Sequence, residues 1–380
     1  MKKVISLAFA IFIMAGSMIF PTNALTIKEP GFDLNCKSAT LIDANTKTVL
    51  YSKNSSEALP PASVTKVMTL LLVFEAISAG KLKYDDILTV SENASSMGGS
   101  QIFLEPGEKM SVDDLLKSVI IASANDAALT LAEHVAGSEE AVVEMMNNRA
   151  SELKMVSTHF ENVTGLDDDA INHLTSSNDI AIMSCELLKY EKVSEYATIW
   201  MDTVRNGEFG LTNTNRLIRY YSGITGLKTG YTSKAGYCVS ASAKRGNLHL
   251  VAVIMGAETS NERNNAATKL LDYGFSNYSI YSDKPTDSKT IDVYGGVKDK
   301  ISIKFENTET LINKGAENSI TKEILLEEYL NAPIRENEEI GKVIYKSNGE
   351  IIAESKIFAC ETVEKLSFWG YIIKIIKNLF

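Results

Sequence analysis

A chain of 380 residues has room for about two domains, and 45% apolar with 23% charged residues is an ordinary globular mix with ample material for a core. A formal net charge of −10, with no basic run able to neutralise phosphates, excludes a nucleic-acid binder. Four scattered cysteines form no C-x-x-C and four isolated histidines form no H-E-x-x-H, so no metal site is legible.

Taken in order, Lys2 and Lys3 precede an apolar run from Val4 to Phe20, and Pro21-Thr22-Asn23-Ala24 follows. This reads as a secretory signal peptide cut after Ala24, with an uncleaved anchor as the alternative. Either way the remainder works outside the cytoplasm. Export permits disulfides, but Cys185 in a helical run and Cys238 in a strand-like run read as buried free thiols; Cys36 and Cys360 complete the set. The histidines, His134, His159, His173 and His249, read as structural or surface residues. Residues 39–42 and 48–51 flank a polar turn and predict a hairpin.

Pro60-Pro61-Ala62-Ser63-Val64-Thr65-Lys66 then leads into the apolar run Val67 to Phe74. The prolines stop whatever precedes them, and a helix is expected over about 62–79, closed by Gly80. Ser63 and Lys66 are three residues apart, which on a helix puts their Cβ atoms ~5–6 Å from each other on one face. A buried lysine at a helix start is driven toward its neutral, basic form, so the pair is a candidate activated nucleophile. Alone, S-x-x-K is usually a helix cap with a solvated lysine.

Ser111-Val112-Asp113-Asp114 predicts a capped helix start running to Ile120. The pattern breaks at 122–126 and resumes through Ala127, Leu131 and Val135 to Gly137. Ser123 and Asn125 fall in that break, either aimed away from both helices or capping the second. A helix over 139–153 precedes an irregular stretch, 157–177, of a length that often borders a site. Residues 178–189 read as helix. Gly226-Leu227-Lys228-Thr229 is no phosphate loop, because Leu227 separates the glycine from the lysine and strands follow at 237–243 and 248–255. A helix over 261–275 carries Arg263 near its start.

A polar stretch near 283–289 suits a linker, and 291–358 reads as short strands, with a hairpin on Asn348-Gly349. In the tail, Ser367, Gly370, Lys374, Lys377 and Asn378 share one narrow helical face. Its apolar runs fall short of the ~20 residues a spanning helix needs. The expectation is an amphipathic helix lying in a membrane interface, Trp369 and Tyr371 near headgroups and the lysines toward water. Packing on the protein itself is the alternative.

Ser63-x-x-Lys66, Ser123-x-Asn125 and Lys228-Thr229-Gly230 are each weak alone, but in this order after a signal peptide they match the motif set of penicillin-binding proteins and class A β-lactamases. The chain resembles the serine-type D-alanyl-D-alanine carboxypeptidases, the low-molecular-mass penicillin-binding proteins. The likeness runs from about Ala39 through the tail and includes Gly98-Gly99-Ser100, Leu104-Glu105-Pro106-Gly107-Glu108 and Leu271-Asp272-Tyr273-Gly274-Phe275. Tyr231 stands where some relatives have His, and Ala124 where others have Gly. The resemblance implies an α/β (α+β) sandwich of β-lactamase/transpeptidase type over 25–282, a small all-β domain over 283–360 and an amphipathic membrane-associating helix over 361–380, after the signal peptide of residues 1–24. The small domain is expected to space the active site from the membrane.

It also implies Ser63, Lys66 and Ser123 as catalytic residues: nucleophile, base, and proton relay to the leaving amine. Asn125 would hold the substrate amide. Lys228, Thr229 and Arg263 would meet the terminal carboxylate, with Gly230 beside them. The oxyanion hole would be the N–H groups of Ser63 and Tyr231. The implied partners are peptidoglycan pentapeptides, β-lactam antibiotics and the outer face of the cytoplasmic membrane, or secretion to the wall; no cofactor or metal is needed. A β-lactamase would need a deacylating carboxylate on the long loop, which carries Asp167, Asp168 and Asp169, but the extra domain and the tail disfavour it. A transpeptidase and a non-catalytic penicillin sensor share the motifs.

Overall fold

In the computed structural model, which describes residues 25–166, 170–285 and 289–377, Pro60 and Pro61 are followed by a 3-10 turn, Ala62–Thr65, and then by helix α1, Lys66–Ser78. The expected signal peptide and the acidic positions 167–169 lie outside the described residues. The helix begins four residues later than 62 because Ala62 is left-handed (φ 50°). The Thr65 hydroxyl closes the turn by donating to the Ala62 carbonyl at 2.9 Å. α1 is apolar on every side and buried from Lys66 to Phe74. Such a helix belongs in a core, so a lysine in its first turn is carried inside with it.

The described residues divide into two units, Ile27–Tyr278 and a second running from Ser279. In the first, strands β1 (Ser38–Asp43) and β2 (Val49–Lys53) form the expected hairpin. With β3 (Ile224–Thr232), β4 (Gly236–Arg245) and β5 (Leu248–Ala257) they make an antiparallel sheet in the order β2-β1-β5-β4-β3. Nearly every β5 residue is buried. Alternate residues point to opposite faces, so both faces of the sheet are covered.

The other helices of ten residues or more in this unit are α2 (Val112–Ile121), α3 (Asn125–Ala136), α4 (Glu139–Glu152), α5 (Ser177–Leu187) and α6 (Ser260–Asn277); α5 and α6 both pack on β5. α2 is capped as expected, Ser111 Oγ accepting from the Asp114 N–H at 3.1 Å. α3 is not capped by Ser123 or Asn125: its N-cap is Ala124 and Asn125 is already its first residue. Among the cysteines, Cys185 and Cys238 are buried and unpaired, Cys36 is half-buried and Cys360 exposed.

In the second unit, β6 (Lys289–Tyr294), β7 (Lys300–Phe305), β8 (Ile320–Leu326), β9 (Tyr329–Asn331), β10 (Glu339–Ser347) and β11 (Glu350–Ala359) form one sheet in the order β8-β10-β11-β7-β6-β9. β10 and β11 join through Asn348 and Gly349, both at positive φ as a primed two-residue turn requires. Among the described residues helix α7 covers Phe368–Lys377 and starts after 361–367, where Val363 is buried and held in a bridge to Ile334. Lys374 is partly exposed and pairs with the exposed Asp299 of this same unit. Phe368, Trp369, Ile373, Ile375 and Ile376 are exposed as well. No helix of the described residues is long and apolar enough to cross a membrane.

Candidate active site

Burying α1 leaves its first residue without water. Lys66 is fully buried, and its amine donates to Ser63 Oγ at 2.9 Å and to the Thr164 carbonyl at 3.0 Å. Burial, and then the positive charge of Lys228, hold its pKa well below the ordinary lysine value, with Asp126 acting in the opposite sense. A neutral amine hydrogen-bonded to a serine hydroxyl can take that hydroxyl's proton.

The Thr164 carbonyl reaches Lys66 because the long 157–176 stretch is locked to the 3-10 turn. Gly165 is left-handed, and a Cβ there would lie 1.8 Å from the Ala62 carbonyl oxygen, so any side chain would displace one of the two segments. His173 ties the turn from the other side. Its Nδ1 accepts the Glu161 N–H at 3.0 Å, so Nε2 carries the proton and donates to Thr65 Oγ1 at 2.8 Å.

Ser123 also occupies a left-handed backbone position, φ 65°, in the break between α2 and α3. Non-glycine residues held there cost on the order of 1–3 kcal/mol each and gather at functional sites. Its hydroxyl accepts from the Lys228 amine at 2.8 Å. Lys228, on β3, is buried, and burial followed by the charge of Arg263 brings its pKa down to about 7. Thr229 Oγ1 donates to Thr214 Oγ1 at 2.8 Å. Gly230 lets β3 pass close to the turn: a Cβ there would lie 2.8 Å from the Pro61 oxygen and 3.0 Å from the Ser63 nitrogen.

Asn125 donates through Nδ2 to the Gly98 carbonyl at 2.6 Å, while its Oδ1 is buried without a partner. A buried acceptor left open is costly unless a ligand fills it. The neighbouring Asp126 carboxylate takes the N–H groups of Ile102 (3.1 Å) and Leu104 (3.0 Å), which fixes the 98–104 loop over α3. Arg263 lies buried at the start of α6, 5.9 Å from the centroid of the Tyr237 ring, with no carboxylate partner among the described residues. Burial lowers its pKa to about 10.

Ser63, Ser123, Thr229, Gly230 and Arg263 line one cleft of about 700 Å³. Lys66 and Lys228 sit behind it, hydrogen-bonded to two of its serines. Asn125 is two residues from Ser123 but does not line the cleft itself. Sequence reasoning missed Thr164, Thr214 and the outer wall of Trp200, Arg216 and Arg219. The only available signal was the length of the irregular loop, which pointed to Thr164 without singling it out.

The sequence pattern of the D-alanyl-D-alanine carboxypeptidase family matches residues 23–259, and that of the C-terminal domain of penicillin-binding protein 5 matches residues 275–365. The D-alanyl-D-alanine carboxypeptidase DacF of Bacillus subtilis is 45% identical over 340 residues, 87% of each chain. The crystal structure of penicillin-binding protein 5 from Haemophilus influenzae superposes with a TM-score of 0.75 at 30% identity, covering 89% of this chain and 100% of that one. Penicillin-binding protein D2 from Listeria monocytogenes, in its cefotaxime-bound form, gives 0.60 at 31% identity over 65% of this chain and 100% of its own. The fold is therefore the transpeptidase/β-lactamase-like α/β domain followed by the all-β domain of these proteins. The chain belongs to the D-alanyl-D-alanine carboxypeptidase family, the serine-type penicillin-binding hydrolases.

Proposed function

We propose that Ser63, Lys66 and Ser123 carry out the family's hydrolysis on peptidoglycan pentapeptides, with Asn125, Lys228, Thr229, Gly230 and Arg263 binding the substrate. Lys66 takes the Ser63 proton as Oγ attacks the carbonyl between the two terminal D-alanines. The Ser63 N–H and the Tyr231 N–H, either side of the close approach at Gly230, receive the oxyanion. The C–N bond breaks as the leaving amine takes a proton through Ser123. Water, deprotonated in turn by Lys66, hydrolyses the Ser63 ester. The open Oδ1 of Asn125 accepts the substrate amide N–H, and Lys228, Thr229 and Arg263 attract the terminal carboxylate. The observation that carries this reading is a fully buried lysine amine 2.9 Å from a cleft-lining serine hydroxyl.

A β-lactam is a strained acyl donor for the same serine, and the Listeria relative is known with cefotaxime bound. Incubation with penicillin followed by mass spectrometry is expected to find one adduct, on the peptide containing Ser63, and none in Ser63→Ala. An adduct retained by the variant contradicts the assignment.

The proposal extends to location. The mature chain, after export and removal of residues 1–24, is held peripherally on the outer face of the cytoplasmic membrane by the apolar side of the tail. Its support is the row of exposed Phe368, Trp369, Ile373, Ile375 and Ile376. Deleting residues 361–380 is expected to move the protein from the membrane to the soluble fraction; full retention in the membrane overturns the anchor.

A further inference from the structure

One wall of the cleft carries positive charge that a terminal D-alanine does not use. That wall is pinned from three sides: the Thr214 N–H donates to the Ile121 carbonyl at 3.1 Å, Asn213 Nδ2 to the Ile199 carbonyl at 2.8 Å, and Asn215 Nδ2 to the Gly226 carbonyl at 3.2 Å. From it Arg216 and Arg219 line the same cleft as Arg263. The Arg219 guanidinium lies 5.1 Å from the centroid of the Trp200 ring and 5.5 Å from that of Tyr220, which orients it without neutralising it. Among the described residues, neither Arg216 nor Arg219 has an ion-pair partner.

Among the described residues no aspartate or glutamate lines the cleft, in a chain of net charge −10. The positive charge of Arg216 is felt at Arg263, where it contributes to the lowered pKa. Low-dielectric walls with one sign of charge concentrate ligands of the other.

If Lys228, Thr229 and Arg263 hold the carboxylate of the departing residue, the Thr229–Thr214 hydrogen bond makes Arg216 and Arg219 the outward continuation of that leaving-group side, so the inference rests on the function proposed for this cleft. The methyl side chain of alanine offers them nothing. We propose that Arg216 and Arg219 form an outer anion subsite for the side chain of the leaving residue, so that, among peptides whose terminal D-residue carries a charged side chain, the protein favours those bearing a second carboxylate over those bearing an amine. The chemistry is unchanged: Ser63 Oγ bonds to the D-alanyl carbonyl carbon, the C–N bond breaks, the acidic amino acid leaves with a proton on its amine, and one water resolves the ester.

The test uses the full chain and three acetylated tripeptides ending in D-Ala-D-Ala, D-Ala-D-Glu and D-Ala-D-Lys. The ratio of kcat/KM for D-Glu over D-Lys is expected to be about tenfold at low ionic strength and to shrink in high salt, as exposed charge pairs do. Arg216→Glu with Arg219→Glu is expected to invert it, and the exposed pair Arg216→Gln with Arg219→Gln, which serves if the reversal fails to fold, to bring it near one. A wild-type ratio near one, or a ratio unmoved by either double variant, overturns the subsite while release of D-alanine from the first peptide leaves the parent reading standing. Failure to cleave all three overturns both.

Discussion

Lys66→Ala is expected to lower kcat/KM for D-alanine release by about 10³-fold or more, within the usual range for a general base acting on a serine. Lys66→Arg is expected to be as inactive as alanine. A guanidinium keeps the reach but stays protonated where the lysine amine is neutral, so it is unable to act as the base. An active arginine variant would show that charge, not proton transfer, is what position 66 supplies. The same residue is expected to cost stability. Its folded pKa is depressed by burial first and Lys228 second, so between that value and the ordinary lysine pKa the unfolded chain holds the extra proton. The cost grows as pH falls through that window. Lys66→Met, which keeps the stem and removes the amine, should therefore raise the unfolding temperature, and the gain should shrink as pH rises toward 10.5. Loss of activity with preserved or increased stability separates chemistry from folding.

Lys228→Ala is the second large effect, about 10²-fold in kcat/KM, the scale of a buried charge-assisted contact to a carboxylate. It also makes a prediction about pH with a definite sign. The Lys228 cation opposes protonation of Lys66, so removing it lets the Lys66 pKa rise, and the acidic limb of the kcat/KM profile should move to higher pH. In the wild type, binding should weaken as pH rises through about 7, where Lys228 loses its proton. That alkaline limb should be absent from the variant. An acidic limb that stays in place, or moves to lower pH, would mean that the two amines do not sense each other.

The parts of this site that were legible in the sequence are those whose chemistry demands a particular side chain. Ser63, Lys66, Ser123, Lys228 and Thr229 stand out because capping and solvation alone rarely place hydroxyls and amines at these spacings, in this order, along one chain. The burial of Lys66 followed from the apolar run behind it. Thr164 was not legible, because it acts through a backbone carbonyl that any residue could offer. Nor were the left-handed positions of Ala62 and Ser123, which carry no glycine to mark them. The wall holding Trp200 and Arg216 comes from two short helices, Glu191–Ala197 and Leu217–Tyr220, and a small hairpin, Met201–Val204 with Phe209–Thr212, too brief to show a period. In the tail the amphipathic pattern was visible, but the pairing of Lys374 with Asp299 was not, since it depends on a residue 75 positions away.

The residues at 63, 66, 123 and 228 bear on one reaction only if a single hydroxyl does the attacking. Release of D-alanine from a pentapeptide, measured for the wild type beside Ser63→Ala at equal folded concentration, tests this directly. Turnover in the wild type and at least about a 10⁴-fold loss in the variant is the expected result. A variant that releases D-alanine at the wild-type rate would contradict it.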